Sequence, residues 1–350
     1  MKYSGIGGQA VLEGIMMKNA ERYSVAVRKP DGEIAVDVQE YHSFADQHPF
    51  ARLPFIRGVF GFVDSMVVGM RALMYSASFF EDDEDSEPGR LELWLDRKFG
   101  EKAEEVVMTG SMVVAFAVAL VIFMWLPLFL SVLLSHVITN EFLQALIEGV
   151  IRVSIFIIYI KLISQTEDIR RTFMYHGAEH KCINCVEHGM PLSVRTVAVS
   201  SKEHKRCGTS FIFIVMIISI LFFMVIRVHN PLLRLASRLV LVPVIAGVSY
   251  EFLRLAGRSE HPIVNLLSRP GLMMQGLTTT QPDDSMIEVA IAAVEAVFDW
   301  RSYLRENFPD GPDALGLKLQ AQAKADAERM GEPVEPLTLS LDGGVSDDVS

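Results

Sequence analysis

The stretch VVAFAVALVIFMWLPLFLSVLL, residues 113–134, decides the fold class. It contains no charged side chain, and the uncharged run around it extends over residues 106–140. About 20 consecutive apolar residues cross the hydrocarbon core of a bilayer as a helix. The chain is therefore predicted to enter a membrane, and Pro127 predicts a kink in this first span.

Three further segments have the length and hydropathy of membrane helices. Glu148 and Arg152 interrupt the first of them, but they lie four residues apart and can neutralise each other on one helix face. The sequence thus predicts a mainly α-helical, polytopic membrane protein with about four transmembrane helices. The three additional spans are residues 142–163, 209–228 and 232–255.

The loops between these spans differ in their content of Lys and Arg. Residues 135–141 contain none, whereas residues 164–206 contain seven. Loops rich in Lys and Arg stay on the cytoplasmic side of a membrane. We therefore expect a multi-pass protein of the cell (inner or plasma) membrane, with both termini and the 164–206 loop in the cytoplasm.

The first 50 residues are predicted to be β-rich and cytoplasmic. Segments 23–29 and 33–41 flank Pro30-Asp31-Gly32, in which Pro fixes φ and Gly accepts a positive φ. The apolar segment 55–80 follows. Three interpretations of it remain open: an interfacial helix, a re-entrant piece, or a helix packed against the membrane bundle.

The predicted division of the chain follows these changes in composition. A capping box at Ser285 and Glu288 predicts an amphipathic helix that runs to about Asn307. The predicted parts are a β-rich segment (1–50), an amphipathic or interfacial helix with an acidic linker (51–108), a transmembrane region containing a metal-site loop at 164–208 (109–256), a cytoplasmic helical region (257–310) and an acidic, partly disordered tail (311–350).

The net charge of −11 arises almost entirely from the C-terminal part. Residues 279–350 hold 15 of the 43 acidic side chains but only 5 of the 32 basic ones. A nucleic-acid-binding protein needs a basic face, so we expect no nucleic-acid partner. The expected partner is the lipid bilayer. A protein partner or an oligomer is left open, and in the scaffold alternative the acidic tail binds that partner.

The loop after the second predicted span contains a zinc-type signature. Residues 175–180 read YHGAEH and match H-x-x-E-H. On a helix His176 and His180 project together, which suits two imidazole ligands of one zinc ion. Glu179 lies beside them as a candidate general base, and Glu187 is a possible third ligand or a partner of the ligands.

A second zinc-type pattern overlaps the first. Cys182 and Cys185 are followed by His204 and Cys207, the paired spacing of a zinc ribbon. This pattern predicts a closed structural site, whereas the first one leaves a coordination position open for chemistry. No disulfide framework is expected, because the chain has three cysteines and all of them lie within residues 182–207.

Two acidic residues outside the loop are further candidates. Glu251 follows an uncharged run at the predicted cytoplasmic end of the last span, and an ion pair with Arg254 or a role as metal ligand are the alternatives. Glu13 lies in a Gly-rich segment, where backbone N–H groups can hold a phosphate.

Five segments of the chain, in order, resemble the YqhQ-like family of bacterial membrane proteins. The resemblance extends over about residues 3–300, and this family is built around a domain of unknown function that is labelled a metal-dependent enzyme without an assigned reaction. His176, Glu179, His180 and Cys207 match the family pattern, whereas Cys182 departs from it. The resemblance therefore favours His176 and His180 with Cys207 or His204. The five segments are GGQAVLEGIMM (7–17), YHGAEHK (175–181), RCGTSF (206–211), SYE (249–251) and PGLMMQGLTT (270–279).

These observations together predict a membrane-bound, metal-dependent enzyme that acts at the cytoplasmic face. We expect zinc as the metal, a hydrolytic reaction and Glu179 as the general base. Two alternatives stay open. One is a non-enzymatic scaffold with a structural zinc site that binds a partner protein, and the other is a small transporter that uses the Glu148–Arg152 pair.

Overall fold

The computed structural model describes residues 2–44, 48–80, 97–100, 103–134, 137–138, 140–226, 228, 230–259 and 261–330. Its N-terminal part is a four-stranded antiparallel sheet in chain order, which confirms the expected β-containing segment. The turn at Pro30-Asp31-Gly32 joins the last two strands, and Gly32 has a φ of 88° there. The strands are β1 Gly7–Val11, β2 Gly14–Asn19, β3 Arg22–Arg28 and β4 Ile34–Glu40.

Helices make up most of the remaining described chain, so the mainly helical fold class is confirmed. A π-helical turn, Val121–Trp125, joins the second helix to the third. The helices are α1 Ile56–Ala77, α2 Ala103–Leu120, α3 Leu126–Leu134, α4 Glu141–Ile163, α5 Glu167–Glu187, α6 Val194–Val199, α7 Gly208–Val225, α8 Pro231–Ala256, α9 Pro262–Thr278, α10 Asp284–Val297, α11 Trp300–Asn307 and α12 Ala314–Met330.

The two central strands of the sheet, β2 and β3, are buried on both faces. Ile15 and Met17 of β2 lie in a core formed with α5 and α10, whereas Met16 between them lies in a second core formed with Val68 and Ala72 of α1. Side chains of a strand alternate between the two faces of a sheet. The polypeptide before the membrane region therefore belongs to the same packed unit as α5 and α10.

Within the described part of the chain, four helices are long and apolar enough to cross a membrane: Ile56–Ala77, Thr109–Leu134, Gly208–Val225 and Leu232–Ala256. The number agrees with the sequence-based expectation, but the set differs from the predicted one. The predicted second span exists as helix α4, which packs against α3 and α7, but it is not one of these four. Its place in the set is taken by α1.

Helix α1 contacts both the membrane bundle and the sheet. At its first residues Gly58 packs on Tyr250 of α8, and near its end Val68 and Ala72 pack on the sheet. The opposite face of α1 is exposed and apolar, with Phe62, Val63, Met66, Met74 and other large side chains along it.

The C-terminal helices differ in detail from the expectation. Asp283, not Ser285, caps α10, because its carboxylate accepts the N–H of Met286. The Ser285 hydroxyl donates to the same carboxylate. The predicted single helix also breaks after Val297, where Phe298 is extended. The predicted acidic linker (residues 81–87) and the last twenty residues lie outside the described part of the chain.

The tight contact between α1 and α8 generates a matched pair of substitutions. A Cβ on Gly58 would lie 2.6 Å from Cβ of Tyr250, whereas a Cβ on Gly61 would meet the same ring only at 3.9 Å. We expect Gly58→Ala to destabilise the fold by about 1–3 kcal/mol through overpacking. Gly61→Ala should stabilise it by up to about 1 kcal/mol, because alanine is the better helix former. Thermal unfolding of both variants in one detergent checks this, and equal midpoints would contradict the contact.

Candidate metal centre

Two histidines of α5 and one cysteine before α7 come together in space. His176 and His180 lie one helical turn apart, with ring centroids 4.4 Å from each other. Together with Cys207 they form a group whose ligand atoms all lie within 4.8 Å of one another. His180 and Cys207 are buried and His176 is half-buried, so the group could bind one metal ion largely surrounded by protein.

Both imidazole rings are held in the tautomer that a metal requires. Nδ1 of His176 lies 2.9 Å from the carbonyl oxygen of Thr278, and Nδ1 of His180 lies 2.7 Å from that of Lys202. A carbonyl oxygen can only accept, so each Nδ1 donates and the lone pair resides on Nε2. Carbonyl contacts of this kind orient histidine ligands in known metal sites.

Cys207 closes the group from the other side. Its Sγ lies 3.2 Å from Nε2 of His176, and it caps α7 by accepting the N–H of Thr209 at 3.4 Å. The N-terminus of a helix favours negative charge, which suits a thiolate ligand. Because α7 is a candidate span, the group lies where the chain passes from the packed unit of the sheet, α5 and α10 into the membrane bundle.

The loop that carries Cys207 is fixed by side chains of α5. Lys181 Nζ donates to two carbonyls within residues 198–200, at 2.6 and 2.7 Å, and Asn184 Nδ2 donates to two within 201–203, at 2.7 and 2.9 Å. His180 holds a fifth carbonyl. Burial lowers the pKa of Lys181 to about 8. Sequence reasoning did not assign Lys181 or Asn184 a role, although Lys181 belongs to one of the segments that resemble the family.

Glu179 lies beside the histidines without being part of the three-residue group. It is 4% exposed, and its carboxylate accepts the N–H of Gly8 in β1 at 3.0 Å. Burial raises the pKa of Glu179, and the charge of His176 and the Gly8 N–H oppose that effect. A Cβ on Gly8 would lie 2.5 Å from the Met16 carbonyl oxygen and 3.1 Å from Glu179, so this position requires glycine.

His204 and Glu187 face each other instead of the group. Nε2 of His204 lies 3.4 Å from the Glu187 carboxylate, which also accepts the N–H and O–H of Ser4 and pairs with Arg206. Burial lowers the pKa of His204 to about 4. Burial would raise the pKa of Glu187, but the His204 hydrogen bond and the Arg206 charge outweigh it and hold it at about 2. Glu187 is thus an ionised anchor for the N-terminal segment.

The residues of the zinc-ribbon pattern are not brought together. Cys182 and Cys185 are fully buried in the hydrophobic core on the sheet side of α5. Burial raises the pKa of Cys185 to about 12 and that of Cys182 well above its usual range. Within the described residues, His176, His180 and Cys207 form the only group of three or more His, Cys, Asp or Glu side chains that could hold a metal ion.

Glu13 and Glu251 both form ion pairs that join separate elements. Glu13 lies in the turn between β1 and β2, where its carboxylate binds the Arg171 guanidinium of α5. Glu251 of α8 binds Arg57 of α1, and not Arg254 as the sequence suggested. Each acid thus links two elements that are far apart in the sequence.

Comparisons with known proteins agree with the resemblance. Residues 53–300 match the family model described as "Protein of unknown function (DUF1385)". The chain is 31% identical over 307 residues to "Uncharacterized protein YqhQ" of Bacillus subtilis (strain 168), which covers 86% of this chain and 94% of that protein. No solved structure matches the chain.

The geometry predicts which substitutions remove a bound metal. Purified protein is expected to hold about one zinc per chain, and His180→Ala and Cys207→Ser should each abolish it, because tetrahedral zinc needs its His and Cys ligands. Cys185→Ser is the matched control and should retain it, since its Sγ points to the carbonyl of Pro191. Elemental analysis of detergent-purified protein measures this. Zinc lost in Cys185→Ser but kept in His180→Ala would restore the ribbon interpretation.

Proposed function

The chain belongs to the DUF1385 family, and we propose that it is a membrane-bound, zinc-dependent hydrolase. The observation that carries this proposal is the pair of Nδ1-to-carbonyl contacts of His176 and His180, which directs both Nε2 atoms toward the group that includes Cys207. The two carbonyl contacts fix the rings and leave both Nε2 lone pairs within reach of one ion. A bound ion gives that arrangement a purpose.

The donor set favours zinc. Imidazole and thiolate ligands suit Zn²⁺, whereas Mg²⁺ and Ca²⁺ prefer oxygen. Three protein ligands are typical of catalytic zinc sites, because a structural site closes with four. Zinc held here would supply Lewis acidity to a substrate and would favour ionisation of water.

Glu179 is proposed as the general base. It is on the same helix as both histidines, one residue before His180, and it is nearly enclosed by β1. The Gly8 N–H fixes one side of the carboxylate, so the group is oriented before a substrate binds. Burial raises its pKa, and a base with a pKa nearer neutrality accepts the proton of an attacking water more effectively.

The scaffold alternative requires a closed site. His204 is the nearest further candidate, with its ring centroid 5.8 Å from that of His180, but its Nε2 is directed to Glu187. A structural zinc would therefore lack a fourth protein ligand among the described residues. This geometry favours the enzyme over the scaffold.

The contacts of α1 also support a specific topology. The sheet precedes α1, yet it packs against α5 and α10, so it lies on their side of the membrane. Both ends of α1 contact that side, through Arg57 with Glu251 and through Ala72 with the sheet. We therefore propose that α1 lies along the cytoplasmic surface and that α4 crosses the bilayer in its stead, with both termini in the cytoplasm.

The role of Glu179 is testable by an isosteric change. We expect Glu179→Gln to retain zinc and the fold but to lose about 10²–10⁴-fold in rate, since it removes a proton acceptor. Glu167→Gln, at the exposed start of the same helix, is the control and should behave as wild type. The measurement is complementation of a deletion strain at matched expression. Full complementation by Glu179→Gln would exclude it as the base.

The proposed topology has an equally direct test. A reporter domain fused after residue 80 should stay in the cytoplasm, because α1 does not cross the membrane. A reporter fused after residue 138 should be exported, because α2 and α3 together cross it once. If α1 were a span and α4 were not, the two reporters would exchange sides. A fusion at the C-terminus, expected in the cytoplasm in either case, controls for expression.

A further inference from the structure

Helix α9 is amphipathic in the reverse sense to a surface helix of a soluble protein. The side chains that it exposes are apolar: Ile263, Leu266, Leu267, Met273 and Leu277. The face that packs on the protein is polar instead, with Ser268, Gln275 and Thr278 at most 6% exposed. A surface helix in water turns its apolar stripe toward the core. The orientation of α9 is therefore not the one that an aqueous surrounding favours.

Contacts of the inner face fix this orientation. The Gln275 side chain accepts the N–H of His204 at 2.8 Å and donates to the His204 carbonyl and to the Ser210 hydroxyl, both at 2.7 Å. The Thr278 hydroxyl donates to that of Thr209 at 3.3 Å. Rotation of α9 about its axis would break these bonds and leave buried polar groups without partners, which is costly. The apolar side chains are therefore held outward.

Both ends of α9 lie at the end of the bundle where α7 begins. Before α9, Gly257 at the end of α8 packs on the side chain of Arg206, one residue before the cap of α7. After α9, the N–H of Thr280 donates to the carbonyl of Phe173 in α5 at 2.9 Å. A helix whose two ends lie on one side of a bilayer does not span it. Helix α9 therefore stays at that end of the bundle.

Hydrogen bonds from the whole length of α9 converge on a short segment. Asn265 near its start accepts from Lys205 at 3.0 Å, and Thr278 at its end contacts Thr209. The two residues of α9 are about 20 Å apart along the helix axis, whereas their partners are four residues apart in the chain. Helix α9 thus passes across the start of α7. Because α7 is a candidate span, this direction follows the surface of the membrane.

The two spans that contact α9 expose apolar side chains at the same end of the bundle. Ile212 near the start of α7 is 44% exposed, and Leu255 near the end of α8 is 52% exposed. Arg269 is the single charged residue of α9. At about 100° per residue it lies about 60° around the helix from Leu266, at the edge of the apolar side. A cation there can reach lipid phosphates while its neighbours lie among acyl chains.

We propose that α9 is an interfacial helix, with its outer face among the acyl chains of the bilayer and Arg269 at the headgroups. Lipid is the occupant that these observations favour, because α9 adjoins two candidate spans and the lipid around them extends to the same exposed side chains. The carbonyl of Thr278, at the end of α9, holds Nδ1 of His176 at 2.9 Å. The metal-binding group is therefore fastened to the membrane surface.

The depth of α9 can be measured on the full chain in lipid nanodiscs, with a nitroxide label on one introduced cysteine at a time. The native cysteines are buried, so wild type is expected to take up no label and serves as the blank. Met273→Cys and Leu266→Cys report two points of the outer face about 10 Å apart along the axis. Val244→Cys, exposed in the middle of α8, is the control for lipid, and Glu288→Cys, exposed on α10, is the control for water.

Collisions of the label with oxygen, which concentrates in lipid, and with a neutral nickel chelate, which stays in water, give the depth. Both α9 labels are expected to favour oxygen and to give equal depths, shallower than that of the Val244→Cys label. Collision rates equal to those of the Glu288→Cys label would overturn the proposal, because the face would then be in water.

Two other results would also contradict it. Depths that differ by about 10 Å would mean that α9 enters the bilayer end-on. Spin–spin broadening at Met273→Cys would mean that a second copy of the chain covers the face. None of these measurements depends on bound zinc or on turnover, so failure here is separate from failure of the proposed hydrolase.

Discussion

Burial of the polar helix α5 is the constraint on which the rest of the structure depends. Most of its second half is inaccessible to solvent, including Glu179, Lys181 and Asn184. A polar group removed from water must find a partner inside the protein. The surrounding segments are positioned by that requirement: β1 supplies an N–H to Glu179, and the 198–203 loop supplies carbonyls to Lys181, Asn184 and His180.

The same requirement explains how Cys207 reaches the histidines. Five carbonyls of the loop are held against α5, so the chain has little freedom between residue 203 and the cap of α7. Gln275 of α9 fixes it further by accepting the N–H of His204 and donating to its carbonyl. The metal-binding group is therefore assembled by hydrogen bonds of side chains that are not ligands. Such supporting contacts set the geometry of metal sites.

Local patterns in the sequence were sufficient for the hairpin of β3 and β4, for α5 and for the histidine pair, because each depends on residues close in the chain. The spacing alone did not show which cysteine joins the two histidines, although the geometry of the helix excludes two of them. At about 100° per residue, Cys182 and Cys185 lie about 240° and 180° around the helix from His176. They face the core, and Cys207 can approach only from a separate segment. The Gly8–Glu179 contact joins residues 171 positions apart, so no local signal reveals it.

Hydropathy alone does not decide whether α1 or α4 crosses the membrane, for a related physical reason. It reports how apolar a segment is and not what covers it. Helix α1 is apolar because one face packs on the sheet and on α8 while the other remains exposed. Helix α4 carries charges because Glu148 and Arg152 face other helices. A span can contain ionised groups when the bundle satisfies them, and an apolar helix can stay outside the membrane when a folded domain holds both of its ends. Contacts at helix ends therefore carry the topology that we propose, because composition does not encode the side of the membrane on which a helix terminus packs.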